Sequence, residues 1–197
     1  MIRTVAVLVI LFAVWLPPSG GRVLAQDWIE YADRTERFIV NFPGTPTVRD
    51  STWESQRDDA LPARVYTVQA GKARYTLTVV NLAKIAQASD VKGSISWEAW
   101  SVRKRGGQVT YDAYAQSDRI EGHELHITNR DRSATFAGIY MHARRLYILE
   151  ATAPPNSPGA VHFLQSLIVL DEAGSRIRYE IDSDGNRTKR TTNFGDQ

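Results

Sequence analysis

After residue 27 the chain is patterned mostly with a period of two, and the strands this predicts are separated by turn residues. Residues 27–31 form a first short strand, with Trp28 and Glu30 on one side and Ile29 and Tyr31 on the other, because alternate side chains on extended backbone point to opposite faces. Phe38, Val40 and Phe42 share a face of the next strand. Pro43 ends it by withdrawing a ladder donor, and Gly44 supplies turn freedom. Residues 47–53 resume an extended, more exposed strand, and its expected partner is 64–68, reached through a polar loop over 56–62. In the following strand Tyr75, Leu77 and Val79 alternate with Arg74, Thr76 and Thr78, and Gly71 makes the connection a hairpin.

A helical period appears after a small, polar connection over 83–93. Ile95, Ala99 and Val102 line one stripe of a helix over 95–105, with Ser94 or Ser96 as N-cap and Gly106-Gly107 as stop. Glu98 lies early and Arg103, Lys104 and Arg105 lie late, which complements the helix dipole. Strands are then expected over 113–120, 125–129 and 135–142, and a tight turn over 143–145 leads into another over 146–151. The last two carry apolar residues on both faces, which places them centrally in a sheet covered on two sides. Ser157 at an N-cap, Pro158 at the first helical position and Val161, Leu164 and Ile168 at helical spacing predict a second helix over 158–167. Residues 176–181 and 187–191 flank an Asp-Gly turn and read as an appended hairpin or a loose tail.

The first 25 residues change the picture of charge. Arg3, the apolar run 5–16, Pro17-Pro18 and Val23-Leu24-Ala25 have the order of a secretory signal peptide, and the run is short for a bilayer span. Cleavage is expected between Ala25 and Gln26, which leaves an exported chain, periplasmic or extracellular; an uncleaved anchor is the alternative. Of the 24 Lys and Arg, Arg3 and Arg22 lie in this segment, so 22 remain against 22 Asp and Glu. A formally neutral domain has no electrostatic footprint for nucleic acid or for an anionic membrane. The absence of cysteine excludes a disulfide framework, thiol catalysis and Cys-based metal sites. The 172 residues after Ala25 are enough for one domain, which buries about 70% of its unfolded surface without staples.

Candidate chemistry is sparse. His123 and His126 are three apart, and on a strand that spacing sends them to opposite faces, so no metal site is expected there. No Gly-x-Ser-x-Gly elbow is present, His142 and His162 have no carboxylate or serine pattern beside them, and no cofactor motif is found. Residues 182–186 resemble part of a calcium loop, but the glycine comes too early and position 191 is Thr, so an Asp-Gly turn accounts for them. Trp53, Trp97, Trp100 and Arg103 are the candidates for a recognition surface, because aromatic and Arg side chains dominate binding hot spots. The simpler alternative places Trp97, Trp100 or both in the core beside Ile95.

Trp28-x-x-Tyr31 leading into Phe38-x-Val-x-Phe-Pro-Gly-x-Pro46, Gly122 before a strand, Arg145-Leu-Tyr147 opening a strand and Phe163-Leu-Gln-Ser166-Leu in a late helix together resemble the PsbP-like superfamily, more specifically its bacterial exported members of unknown function. The resemblance spans roughly residues 28–171 and implies an α+β fold, a mostly antiparallel seven-stranded sheet flanked by helices in an α/β/α sandwich. With the signal peptide read above over 1–25, the expected division is a domain over 26–171 and a hairpin or flexible tail over 172–197. Relatives in this superfamily are a lumenal subunit that supports a photosystem and a Ran-binding nuclear import factor; neither partner carries over, since no matched residue is a partner contact. The expectation is thus a non-catalytic exported module that binds a cell-envelope protein or a small ligand, with an enzyme built from scattered polar residues as the alternative.

Overall fold

The alternating segments fold as strands, and the computed structural model describes residues 28–57, 60–85 and 88–192. The strands are β1 (Ile29–Asp33), β2 (Phe38–Phe42), β3 (Thr47–Glu54), β4 (Ala60–Ala70), β5 (Ala73–Asn81), β6 (Gln108–Ser117), β7 (Ile120–Thr128), β8 (Ala134–His142), β9 (Arg145–Ala153), β10 (Ile168–Val169), β11 (Arg176–Ile181) and β12 (Arg187–Thr192). The helices are α1 (Ala88–Lys104) and α2 (Pro158–Gln165). Seven strands form one sheet in the order β3-β4-β5-β9-β8-β7-β6, every neighbouring pair antiparallel. The fold is α+β and dominated by its strands. As their two apolar faces required, β8 and β9 are inner strands of that sheet.

Each face of the sheet carries its own core. On one, Tyr75, Leu77, Tyr147 and Leu149 pack with Phe163 and Leu164 of α2 and with Phe38, Val40 and Phe42 of the small sheet β1-β2-β10. On the other, Leu125, Ile139, Leu146 and Ile148 pack under Val91, Ala99 and Val102 of α1. The aromatic residues of β2 are fully buried, with Phe38 edge-on to Tyr66 at 4.9 Å and Phe42 against Phe163 at 5.1 Å.

Several boundaries differ from the sequence reading. Helix α1 begins at Ala88, so Ser94, 3% exposed, lies inside it and Ser96 is no cap. Val91 falls one turn before Ile95 on the same stripe, and burying it outweighs the weak helix propensity of Gly93. Strand β6 starts at Gln108, and β7 runs from Ile120, because the chain turns at Asp118 and Arg119, both at positive φ. Gly122 thus lies within β7 rather than before a strand, and a Cβ there would meet the ring of Tyr140 and sit 2.5 Å from the Ile139 carbonyl oxygen. Ser157 precedes α2 as expected, but its hydroxyl donates to the Pro154 carbonyl (2.7 Å) and does not cap the helix.

Strands β11 and β12 form a hairpin that is tied to the rest of the molecule. Ile177 is 1% exposed in the same core as Phe38, Arg176 grips Asp118 through two nitrogens (3.1 and 2.9 Å), and the Tyr179 hydroxyl meets His142 at 2.9 Å. In its turn the Asp182 carboxylate accepts the backbone N–H groups of Asp184 and Asn186, and Gly185 takes φ +80°. The expected signal peptide and its cleavage between Ala25 and Gln26 lie outside the described residues.

Candidate functional site

Helix α1 covers only part of its face of the sheet. Where the helix stops, the alternation that buries Tyr75, Leu77 and Val79 on one side leaves Arg74, Thr76 and Thr78 on the other. Neighbouring strands continue this polar patch: Thr76 is paired with Glu150 and Arg74 with Thr152, and Thr152 with Thr135 across the next ladder. The result is a groove of about 580 Å³, floored by these residues and walled by Arg49, Ser51 and Trp53 of β3 and by Glu98, Ser101 and Arg105 at the end of α1.

The floor is a connected set of hydroxyls. The Oγ1 atoms of Thr135 and Thr152 are 2.9 Å apart, and the Asn129 side-chain amide donates to Thr135 Oγ1 at 2.9 Å. Threonine is both donor and acceptor, so the floor can meet ligand groups of either kind.

The wall is ionic. Glu98 is 5% exposed and lies on the buried stripe of α1. The Trp53 indole N–H donates to its Oε2 at 2.6 Å, and Arg105 donates to its Oε1 at 3.2 Å. Arg105 also grips Glu150, so one guanidinium ties the end of α1 to β9 through two carboxylates. Burial pushes the Glu98 carboxyl above its ordinary value, with the nearby Glu150 charge adding to the rise, while the Trp53 hydrogen bond and Arg105 oppose it. Among the described residues lining the groove there is no His, Lys or Tyr.

The candidate residues read from sequence divide into separate places. Trp53 lies in the groove wall, 9% exposed and bonded to Glu98. Trp97 and Trp100 stack on each other with ring centroids 4.6 Å apart. The Trp97 indole N–H donates to the Glu54 carbonyl at 2.9 Å and its ring packs against the core, whereas Trp100 is 43% exposed under the Lys104 ammonium, 4.2 Å from its ring centre. Arg103 turns to the opposite edge strand, β6, and holds both oxygens of Asp112 at 2.6 and 2.7 Å. It also meets His123, which itself bonds Asp112 at 2.6 Å. Together these partners hold the Asp112 carboxyl down to about 2, the Arg103 hydrogen bonds contributing most. The structure thus joins Trp97 with Trp100 and sets Arg103 apart from them. His126, on the other face of β7, bonds Glu124 at 2.7 Å, and among the described residues no three His, Asp or Glu side chains converge on a common point.

The threonines and Glu98 were not singled out in the sequence, although a signal for the former exists. Glu150 and Thr152 follow a run that is apolar on both faces, and a polar residue there marks where the covering layer ends.

No family model matches the chain, and no characterised protein matches it by sequence. Solved structures similar to it include the solution structure of cyanobacterial PsbP (CyanoP) from Synechocystis sp. PCC 6803, which is 11% identical, covers 77% of this chain and 97% of its own, and superposes with a TM-score of 0.49. Among the described residues no helix is long and apolar enough to cross a membrane.

Proposed function

We propose that the protein is an exported, non-catalytic binding module with a PsbP-like sandwich, and that its ligand site is the threonine-floored groove beside the end of α1. Export rests on the sequence of residues 1–25, and the family on the motifs between Trp28 and Leu167. The observation that carries the binding reading is the state of the groove's acidic groups. Of the three acidic residues that line it, Glu98 is occupied by Trp53 and Arg105 and Glu150 by Arg105, while Glu54 is exposed at the end of β3, so neither carboxylate beside the floor stands free as a general base, and the hydroxyl floor is open. The volume falls in the usual range for small-molecule sites, about 300–1,000 Å³.

An enzyme remains the second reading, and the specific observation in its favour is the raised pKa of Glu98 at the groove wall, since acidic groups with such shifts cluster at catalytic sites. Thr76→Trp separates occupancy of the groove from the rest of the molecule, because the new ring fills the floor without entering either core. Thermal-shift assays against fractions of a small-molecule extract should find a fraction that raises the Tm of the wild type and leaves the Tm of the variant unchanged. Equal stabilisation of both proteins would place the ligand elsewhere.

A further inference from the structure

Arg49 and Arg74 stand on either side of the groove floor, and neither makes an ion pair among the described residues. Arg49 reaches only the Ser51 hydroxyl, at 3.4 Å. Several other arginines are taken up by carboxylates, Arg64 by Asp50, Arg103 by Asp112 and Arg176 by Asp118. The two unpaired cations are placed by register. Arg74 on β5 is opposite Thr152 on β9, and Arg49 on β3 is opposite Val65 on β4, which is in turn opposite Thr78 on β5. They are therefore two strands and four residues apart, about 10 Å across the sheet and about 13 Å along it, with Thr76 between them. Side chains as long as arginine's can bring both guanidinia towards the same stretch of floor.

A guanidinium presents a planar fork that matches a carboxylate or a phosphate, and threonine hydroxyls can donate to the same oxygens. Of the groove's three acids, Glu98 and Glu150 are bound by Arg105, and among the described residues none, Glu54 included, makes an ion pair with Arg49 or Arg74. We infer that the groove binds a small anionic molecule, a carboxylate or a phosphate, held by Arg49 and Arg74 across the hydroxyls of Thr76 and Thr152. This inference rests on the groove being the ligand site.

The test is an amide-resolved NMR titration of the full chain at low ionic strength, where exposed charge pairs are least screened. Three probes are added separately: citrate, pyrophosphate and the neutral sugar maltotriose. The amide signals of Thr76, Thr78, Thr135 and Thr152 are expected to move with at least one anion and not with maltotriose. Response to citrate alone assigns a carboxylate ligand, and response to pyrophosphate alone a phosphate. In the double variant Arg49→Gln with Arg74→Gln the dissociation constant for the responding anion should rise at least about tenfold. Both side chains are exposed, so the variant is expected to keep the wild-type Tm, and the rest of its spectrum reports directly on folding. If maltotriose moves these signals and both anions leave them still, the anion is wrong and the groove stands. If none of the three moves them, both the anion and the groove reading fall. Anion binding unchanged in the double variant overturns the assignment of the two arginines.

Discussion

Glu98 shows how one residue can be read wrongly from its sequence position and rightly from its surroundings. Its place early in a cationic-ended helix suggested a complement to the helix dipole, yet it lies on the buried stripe, where among the described residues Trp53 and Arg105 satisfy it. Burial outweighs both partners and raises its pKa. A group whose pKa is higher folded than unfolded favours folding most while protonated; that contribution is whole below the unfolded value and is lost as pH rises through the folded one. Glu98→Gln keeps an acceptor for the indole and does not ionise. Whatever constant offset the amide brings, the Tm of the variant should gain on that of the wild type as pH rises above the ordinary glutamate value of about 4.3. Thermal melts across that rise in pH check it, and a difference that is flat or shrinks with pH would refute the account.

At the scale of elements, what could be read in the sequence follows from how strongly each segment is signalled locally. Strands β2, β3 and β5 and the hairpin β8–β9 were legible because alternation, Pro43 and Gly71 agree on where they lie, whereas β4 begins at Ala60, within the expected polar loop over 56–62, because pairing with β3 carries the strand through Pro62. The β6–β7 hairpin was misplaced because its turn uses Asp118 and Arg119 at positive φ, where sequence rules look for Asn-Gly or Asp-Gly. The first turns of α1 were missed because Gly93 and its small polar neighbours hide a helix that burial of Val91 completes. The groove was hard to read for a different reason: Thr76, Thr78 and Thr152 occupy the polar phase of their strands, and only Glu150 and Thr152, following the apolar run of β9, signal that α1 ends before covering them. The same helix settles the fate of its tryptophans. Trp97 packs on the core and donates to Glu54, whereas Trp100 is half exposed and contributes a stacked ring and a cation contact. Trp97→Ala is expected to cost on the order of 3 kcal/mol, and Trp100→Ala about 1 kcal/mol. Urea denaturation of the two single variants measures both, and equal costs would contradict this division.

For the whole molecule, the question is where the folded unit ends. Motif resemblance stops near Asp171, which suggested a body and an appendage, but side chains beyond that point enter the first core. Ile177 is buried with Phe38 and Tyr147, the Leu170 and Arg176 backbones bridge, and Arg176 closes on Asp118 at the β6–β7 turn. By contrast β12 touches the body through weaker means, a 3.7 Å approach of Lys189 to Asp171, and among the described residues its strand pairing is with β11. Ending the chain after Ile181 should therefore lower stability modestly, while ending it after Asp171 uncovers the site that Ile177 fills. Loss of a buried residue of that size costs about 3 kcal/mol, which for a domain of this length lowers the Tm by about 6–12 °C. Calorimetry of the two shortened chains distinguishes the cases. Similar, small losses in both would show that the hairpin merely rests on a body complete at Asp171; a large loss confined to the shorter chain would make β11 part of the domain, with its boundary after Ile181.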